Sequence, residues 1–165
     1  MITFRKLTTP AELQIIRDIA ADIWPETFKN ILSAGQIKYM MQMMYAPEVM
    51  AGELNNGYHF ETVCVDGTPA GYISYSAYSI PGTAKLHKVY LLTKYHHRGI
   101  GSQMLARAES AARELGFTRL RLNVNKHNSQ AIKAYLRNGF EQVEAVKIDI
   151  GGGFFMDDFV MEKSL

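Results

Sequence analysis

Two hydrophobic periods alternate along the chain and divide it into helices and strands. Ile2–Leu7 reads as a first strand. After Pro10, the residues Leu13, Ile16, Ile19, Ala20 and Ile23 recur at helical spacing and predict a helix that stops near Trp24-Pro25. A second helix over 37–45 carries Met40, Met41, Met43 and Met44, and a third starts at Pro47. Methionine at this density fits a packed core or an adaptable apolar cleft. The stretches 58–65 and 70–78 alternate about Asp66-Gly67, which predicts a β-hairpin. A strand over 84–92 follows, then a helix over 99–115 with Ile100, Met104, Leu105, Ala108, Ala112 and Leu115 on one face, closed by Gly116. In the next strand Leu120, Leu122 and Val124 alternate with Arg119, Arg121 and Asn123. A short capped helix from Asn128 and two strands, 140–148 and 154–162, complete the chain.

This order of elements predicts an α/β layered domain with a mixed sheet. At 165 residues and 47% apolar composition, one domain spanning 1–165 with one sizeable core is expected. The net charge of +2, spread without a basic block, argues against nucleic acid as a partner. A single cysteine, Cys64, cannot form an internal disulfide and sits in an alternating stretch as a small packed residue. The amino terminus lacks a signal-peptide pattern, and no apolar run approaches the roughly 20 residues that span a bilayer. A cytoplasmic protein without a membrane partner is expected. The five histidines show no metal-ligand spacing, so no metal is expected.

The candidate chemistry begins at Tyr95-His96-His97-Arg98-Gly99-Ile100-Gly101-Ser102, where two glycines join a strand to a long helix. Glycines let successive backbone N–H groups turn toward one point, and the helix start adds its unpaired donors and positive dipole end, which together suit a phosphate or pyrophosphate. The spacing is neither the three-glycine dinucleotide fingerprint nor a Walker loop. A tight strand-to-helix turn would use the same residues. Downstream, Asn128-Ser129-Gln130-Ala131-Ile132-Lys133-Ala134-Tyr135-Leu136-Arg137-Asn138-Gly139-Phe140 forms the second segment, with Asn128 and Tyr135 two helical turns apart on one face.

Together the two segments resemble motifs A and B of the Gcn5-related N-acetyltransferase superfamily, whose signature is Gln/Arg-x-x-Gly-x-Gly/Ala followed by Asn-x-x-Ala-x-x-x-Tyr-x-x-x-Gly-Phe. The resemblance covers essentially the whole chain and is most diagnostic over 86–140. It implies the acyl-CoA N-acyltransferase fold, a mostly antiparallel central sheet with helices on both faces, and an acetyl-CoA-dependent enzyme acetylating a primary amine by direct attack. Trp24-Pro25-Glu26-Thr27-Phe28 and the methionine-rich helix are most similar to the diamine and polyamine acetyltransferase-like group. The alternatives are a protein or peptide α-amine acetyltransferase and a non-catalytic CoA-binding sensor or interaction module. The family's habit of pairing through its last strands implies a possible homodimer.

By that resemblance, backbone N–H groups over 98–102 hold the pyrophosphate, with Arg98 or Lys94 adding charge. His96 stands where the family has Gln or Arg, and with His97, Gly99, Ile100, Gly101 and Ser102 it completes the cradle. Val89, Tyr90 and Leu91 occupy the strand that parts from its neighbour to bind pantetheine amides, and an N–H at or beside Leu91 stabilises the oxyanion. Asn123 and Asn128 fall at CoA-contacting positions, although Asn128 is equally a plain helix N-cap. Tyr135 matches the tyrosine that protonates the CoA thiolate, and is otherwise a core residue. His87 stands where related sequences have Glu; it, or water through it, is expected to deprotonate the amine, unless it is a bonded strand histidine. The acceptor pocket is expected from Trp24, Glu26, Thr27, Phe28 and the loop Gly151-Gly152-Gly153 before Asp157 and Asp158, with Glu26, Asp157 and Asp158 meeting a cationic amine. Each of these carboxylates also suits a turn or surface position.

Overall fold

The computed structural model describes all 165 residues. One seven-stranded sheet runs through the molecule in the order β1-β2-β3-β4-β5-β7-β6. Its strands are β1 Ile2–Leu7, β2 His59–Val65, β3 Thr68–Ala77, β4 Thr83–Leu91, β5 Arg119–Asn125, β6 Glu141–Gly151 and β7 Phe154–Ser164. Every pairing is antiparallel except β4 with β5. The helices α1 Gln14–Phe28, α2 Ala34–Tyr45 and α3 Pro47–Asn55 cover one face, over a core that includes Leu13, Ile16, Trp24, Tyr45, Phe60 and Tyr72. On the other face α4 Ile100–Glu114 and α5 Ser129–Arg137 pack over Ile73, Leu86, Leu120, Leu122 and Phe140. The mixed, mostly antiparallel sheet with helices on both faces is the expected fold class.

The element order agrees with the sequence pattern, and the differences have local causes. The predicted stop of α1 at Trp24-Pro25 is corrected: the helix runs on to Phe28 with Pro25 inside it. Pro25 is exposed, while Trp24 and Phe28 are buried with ring centroids 4.6 Å apart. Their packing holds the last turn although proline removes a backbone donor. The hairpin turn follows its sequence signal, with Asp66 and Gly67 both at positive φ, 48° and 82°. Leu115, expected on the buried face of α4, lies past its end and is exposed.

A bulge in β4 has consequences for the site. Ser74 pairs with Lys88, but the next residue, Tyr75, pairs with Leu86, so His87 is the extra residue. Leu86 faces the core beneath α4, and so do Val89 and Leu91 beyond the bulge. Two successive side chains, His87 and Lys88, are thereby turned to the face covered by α1 to α3. No helix is long and apolar enough to cross a membrane.

Candidate active site

The strands β4 and β5 pair only at Thr83–Arg119, Ala84–Leu120 and Lys85–Arg121. Beyond Lys85 they separate, while β5 stays paired to β7 as far as Asn125–Asp158. The β4 edge from Leu86 to Leu91 therefore faces a cleft rather than a partner strand. The cleft has a volume of about 1230 Å³, and its walls include Val89, Tyr90, Leu91, Asn123, Asn128 and Tyr135.

At one end of it the chain leaves β4 and enters α4. Ile100 is 3% exposed and anchors the first turn in the core, so only its backbone can serve a ligand. Gly99 adopts φ 75°, a left-handed conformation that disfavours a side chain. The first bond of α4 runs from Gln103 N–H to the Gly99 carbonyl at 3.3 Å, leaving the N–H groups of Ile100, Gly101 and Ser102 without a backbone acceptor. A Cβ at Gly99 or Gly101 would project into open space. This is a concave, donor-rich surface that fits an anionic diphosphate.

The charged and imidazole side chains around this turn behave less uniformly than expected. His96 and His97 both line the cleft, but His96 turns back so that Nε2 donates to the Leu91 carbonyl at 2.9 Å. It thus ties the end of β4 to the cradle. Arg98 does not line the cleft; its guanidinium stacks on Tyr95, 5.5 Å from the ring centre. Lys94 sits over the same ring at 5.2 Å.

The short helix α5 brings Asn128 and Tyr135 to the same wall. Asn128 caps it, its side chain accepting from Ala131 N–H at 3.4 Å, so the N-cap reading holds whatever else this residue contacts. Tyr135 is half-buried, and burial alone raises its phenol above the usual tyrosine range. It is a protonated donor at neutral pH, and the same apolar surroundings would raise a neighbouring thiolate as well.

On the acceptor side the cleft is walled by α1, α2 and the β6–β7 hairpin. Phe28, Thr27, Met43, Met44 and Glu26 line it, and Glu26 pairs with Lys29 at 2.9 Å in solvent. Trp24 borders the cleft but is 1% exposed, with Nε1 donating to Tyr45 Oη at 3.0 Å and the tyrosine hydroxyls of Tyr45 and Tyr72 2.6 Å apart. It is a buried support for the wall that it lines. The hairpin is tied down by Tyr39, whose hydroxyl donates to the Ile150 carbonyl at 2.6 Å, and by Gln36 Nε2, which donates to the Phe155 carbonyl at 2.7 Å. Asp157 is not among the residues that line the cleft and is ion-paired with Lys126. Its neighbour Asp158 points in and is 5% exposed.

The bulge places His87 and Lys88 against α3 and its connection to β2. His87 Nε2 lies 2.7 Å from Ser76 Oγ, and the ring stacks on Tyr58 at 4.3 Å. Burial, then the Lys85 and Lys88 charges, push its imidazole down to about 3. A base that weak holds a proton poorly at neutral pH, so the structure disfavours the expected deprotonation by His87. Lys88 is buried against the Tyr45 and Phe60 rings, and its ammonium is 3.6 Å from Glu53 Oε1. That carboxylate oxygen is itself buried without a hydrogen bond, and burial raises the Glu53 carboxyl. Lys85, Lys88 and Glu53 are cleft residues that the sequence reading missed, because nothing in their local pattern distinguishes them from surface charges.

Comparison with known proteins adds four findings. The spermidine N(1)-acetyltransferase of Thermoplasma acidophilum is 29% identical over 167 residues, covering 98% of this chain and 96% of that protein. The crystal structure of PaiA N-acetyltransferase from Thermoplasma acidophilum in complex with coenzyme A superimposes with a TM-score of 0.83 at 28% identity, covering 100% of this chain and 99% of that one. The ribosomal-protein-S18-alanine N-acetyltransferase of Escherichia coli shares the fold, with a TM-score of 0.73 at 17% identity over 99% of this chain and 94% of that one. The family model of the acetyltransferase (GNAT) family matches residues 14–140, and the chain belongs to that family of acyltransferases.

Proposed function

We propose that this protein transfers the acetyl group of acetyl-CoA to a primary amine of a small cationic acceptor of the polyamine type, by direct attack within a ternary complex. The observation that carries the reading is the separation of β4 from β5 directly between the open start of α4 and Tyr135. The cradle of Gly99, Ile100, Gly101 and Ser102 holds the pyrophosphate on backbone N–H groups. The free edge over Val89, Tyr90 and Leu91 takes the pantetheine amides, with Asn123 and Asn128 on the opposite wall. An N–H at or beside Leu91 receives the oxyanion as the thioester carbon becomes tetrahedral. Tyr135 gives its proton to the departing thiolate.

Two observations support a cationic acceptor. The acids bordering the cleft, Glu26, Glu53 and Asp158, alternate with the apolar walls of Phe28, Met43 and Met44, a mixture that suits an aliphatic chain bearing ammonium groups. The relative from Thermoplasma acidophilum is a spermidine N(1)-acetyltransferase. No acyl-enzyme is needed, and Cys64 stands outside the cleft. The continuous sheet with a core on each face supports a single N-acetyltransferase domain over 1–165, and the exposed outer strand β6, with Val143 and Ile148 uncovered, supports a homodimer through the last strands. A cytoplasmic location completes the reading. The test is thiol release from acetyl-CoA against polyamines, neutral amines, amino acids and peptides. Preference for polyamines over neutral amines of equal length is expected; equal rates, or turnover of peptide α-amines alone, would reject the proposed acceptor.

A further inference from the structure

Three acids border the cleft, and two are already engaged: Glu26 with Lys29 at 2.9 Å and Glu53 with Lys88 at 3.6 Å. The third, Asp158, forms no ion pair although it is 5% exposed. A buried carboxylate without an ion pair is unfavourable for folding, so its presence in the cleft asks for a chemical reason. Its position is fixed by the sheet. Asp158 pairs with Asn125 of β5 and Val146 of β6, so its backbone is held on both sides. The alternate residues Phe159 and Met161 pack into the core beneath α4 and α5, which directs Asp158 to the opposite face, beside Asn123 and across the split from Lys85 and Tyr90.

We propose that the carboxylate of Asp158 is the group that accepts the proton from the acceptor nitrogen during acetyl transfer. The assignment rests on the acetyltransferase reading above and adds to it the missing half of the proton balance. The neutral amine attacks the thioester carbon, and as the N–C bond forms, one N–H proton passes to Asp158. The C–S bond breaks with its electron pair on sulfur, and the thiolate takes the Tyr135 proton. Asp158 then releases its proton to solvent and Tyr135 recovers one, so a single proton has moved from nitrogen to sulfur. The groups facing Asp158 set its basicity. Burial raises its carboxyl to about 6, opposed by the Asn123 amide and the Lys85 ammonium, with Asp157 adding a smaller rise. Tyr90 feels both Asp158 and Tyr135, and Arg121 acts on Lys85. At neutral pH the group is therefore ionised, yet more basic than an exposed carboxylate.

The test is the pH dependence of kcat for the parent, Asp158→Asn and Lys85→Met, with acetyl-CoA and the best amine of the panel. Asp158→Asn is expected to lower kcat by about 10²- to 10⁴-fold, the range for loss of a general base, and to lose the limb that rises near pH 6. Removing the Lys85 charge is expected to move that limb to higher pH. This second variant decides the matter if Asp158→Asn does not fold. A rise in KM for the amine with kcat held within twofold would make Asp158 a substrate anchor and overturn the assignment. So would a limb unmoved in Lys85→Met. A parent that binds acetyl-CoA but turns over no amine would overturn the acetyltransferase reading with it, whereas a parent that turns over and shows either of the other results overturns the role of Asp158 alone.

Discussion

Replacing Asp158 with asparagine is expected to stabilise the protein, and by an amount that grows with pH. The carboxyl titrates near 6 in the folded protein, against an ordinary value near 4 in the unfolded chain. A group whose folded pKa is raised contributes its stability fully below the unfolded pKa and loses it as pH rises through the folded one. Above pH 6 the folded protein therefore carries a buried anion whose shift of about two pKa units corresponds to roughly 3 kcal/mol, trimmed by water screening to about 2 kcal/mol. Asparagine has the same shape without the charge, so the variant does not lose this stability. For a chain of this length that gain raises the melting temperature by about 4–8 °C at pH 8. About half of the difference is present at pH 5, and little is left below pH 4. Urea unfolding of parent and variant at pH 5 and pH 8 measures it directly, and taking their difference cancels every other titrating group. A variant equal to or less stable than the parent at pH 8, or a gap that does not change with pH, would refute the reasoning.

Three further substitutions probe the rest of the site. His87→Gln removes an imidazole whose folded pKa of about 3 lies below its unfolded value, so the parent loses stability as pH falls from 6.5 toward 3. Relative to parent, the variant should gain about 2 kcal/mol between pH 7.5 and pH 5 in urea unfolding, while its kcat–pH limb stays in place. Gly71→Ala would drive a Cβ into the Tyr90 carbonyl and set it 3.1 Å from Leu91 Cα. It should destabilise the protein by about 2–3 kcal/mol in thermal melts and weaken acetyl-CoA binding in calorimetry, by displacing the free edge of β4. Gly99→Ala strains a left-handed position and should lower acetyl-CoA affinity roughly tenfold while leaving KM for the amine near the parent value.

What the sequence made legible was local. Helix α4 is marked by its apolar stripe and its closing glycine, α5 by Asn128 and Gly139, and the β2–β3 turn by Asp66-Gly67, so the cradle and Tyr135 could be placed from residues alone. The extension of α1 past Pro25 was not legible, because it depends on Trp24 and Phe28 packing against Tyr90 and Tyr45 from distant segments. The bulge at His87 was hidden in a strand run with no glycine to mark it. That single extra residue turns His87 and Lys88 to the same face and buries the imidazole, which lowers its basicity. Asp157 and Asp158 differ only in strand parity, and the apolar run Phe154-Phe155-Met156 obscures the alternation that would have separated them. Glu53 enters the cleft because α3 brings its carboxylate within 3.6 Å of the Lys88 ammonium, a contact between distant segments.

The most direct test of the account is release of CoA thiol from acetyl-CoA in the presence of a polyamine, by the parent and by Tyr135→Phe, with acetyl-CoA affinity measured for both. Turnover by the parent is expected, with kcat reduced about 10²-fold or more in the variant at unchanged affinity, since only a proton donor to the thiolate has been removed. Undiminished turnover in Tyr135→Phe, or a parent that binds acetyl-CoA and transfers its acetyl group to no amine, would contradict it.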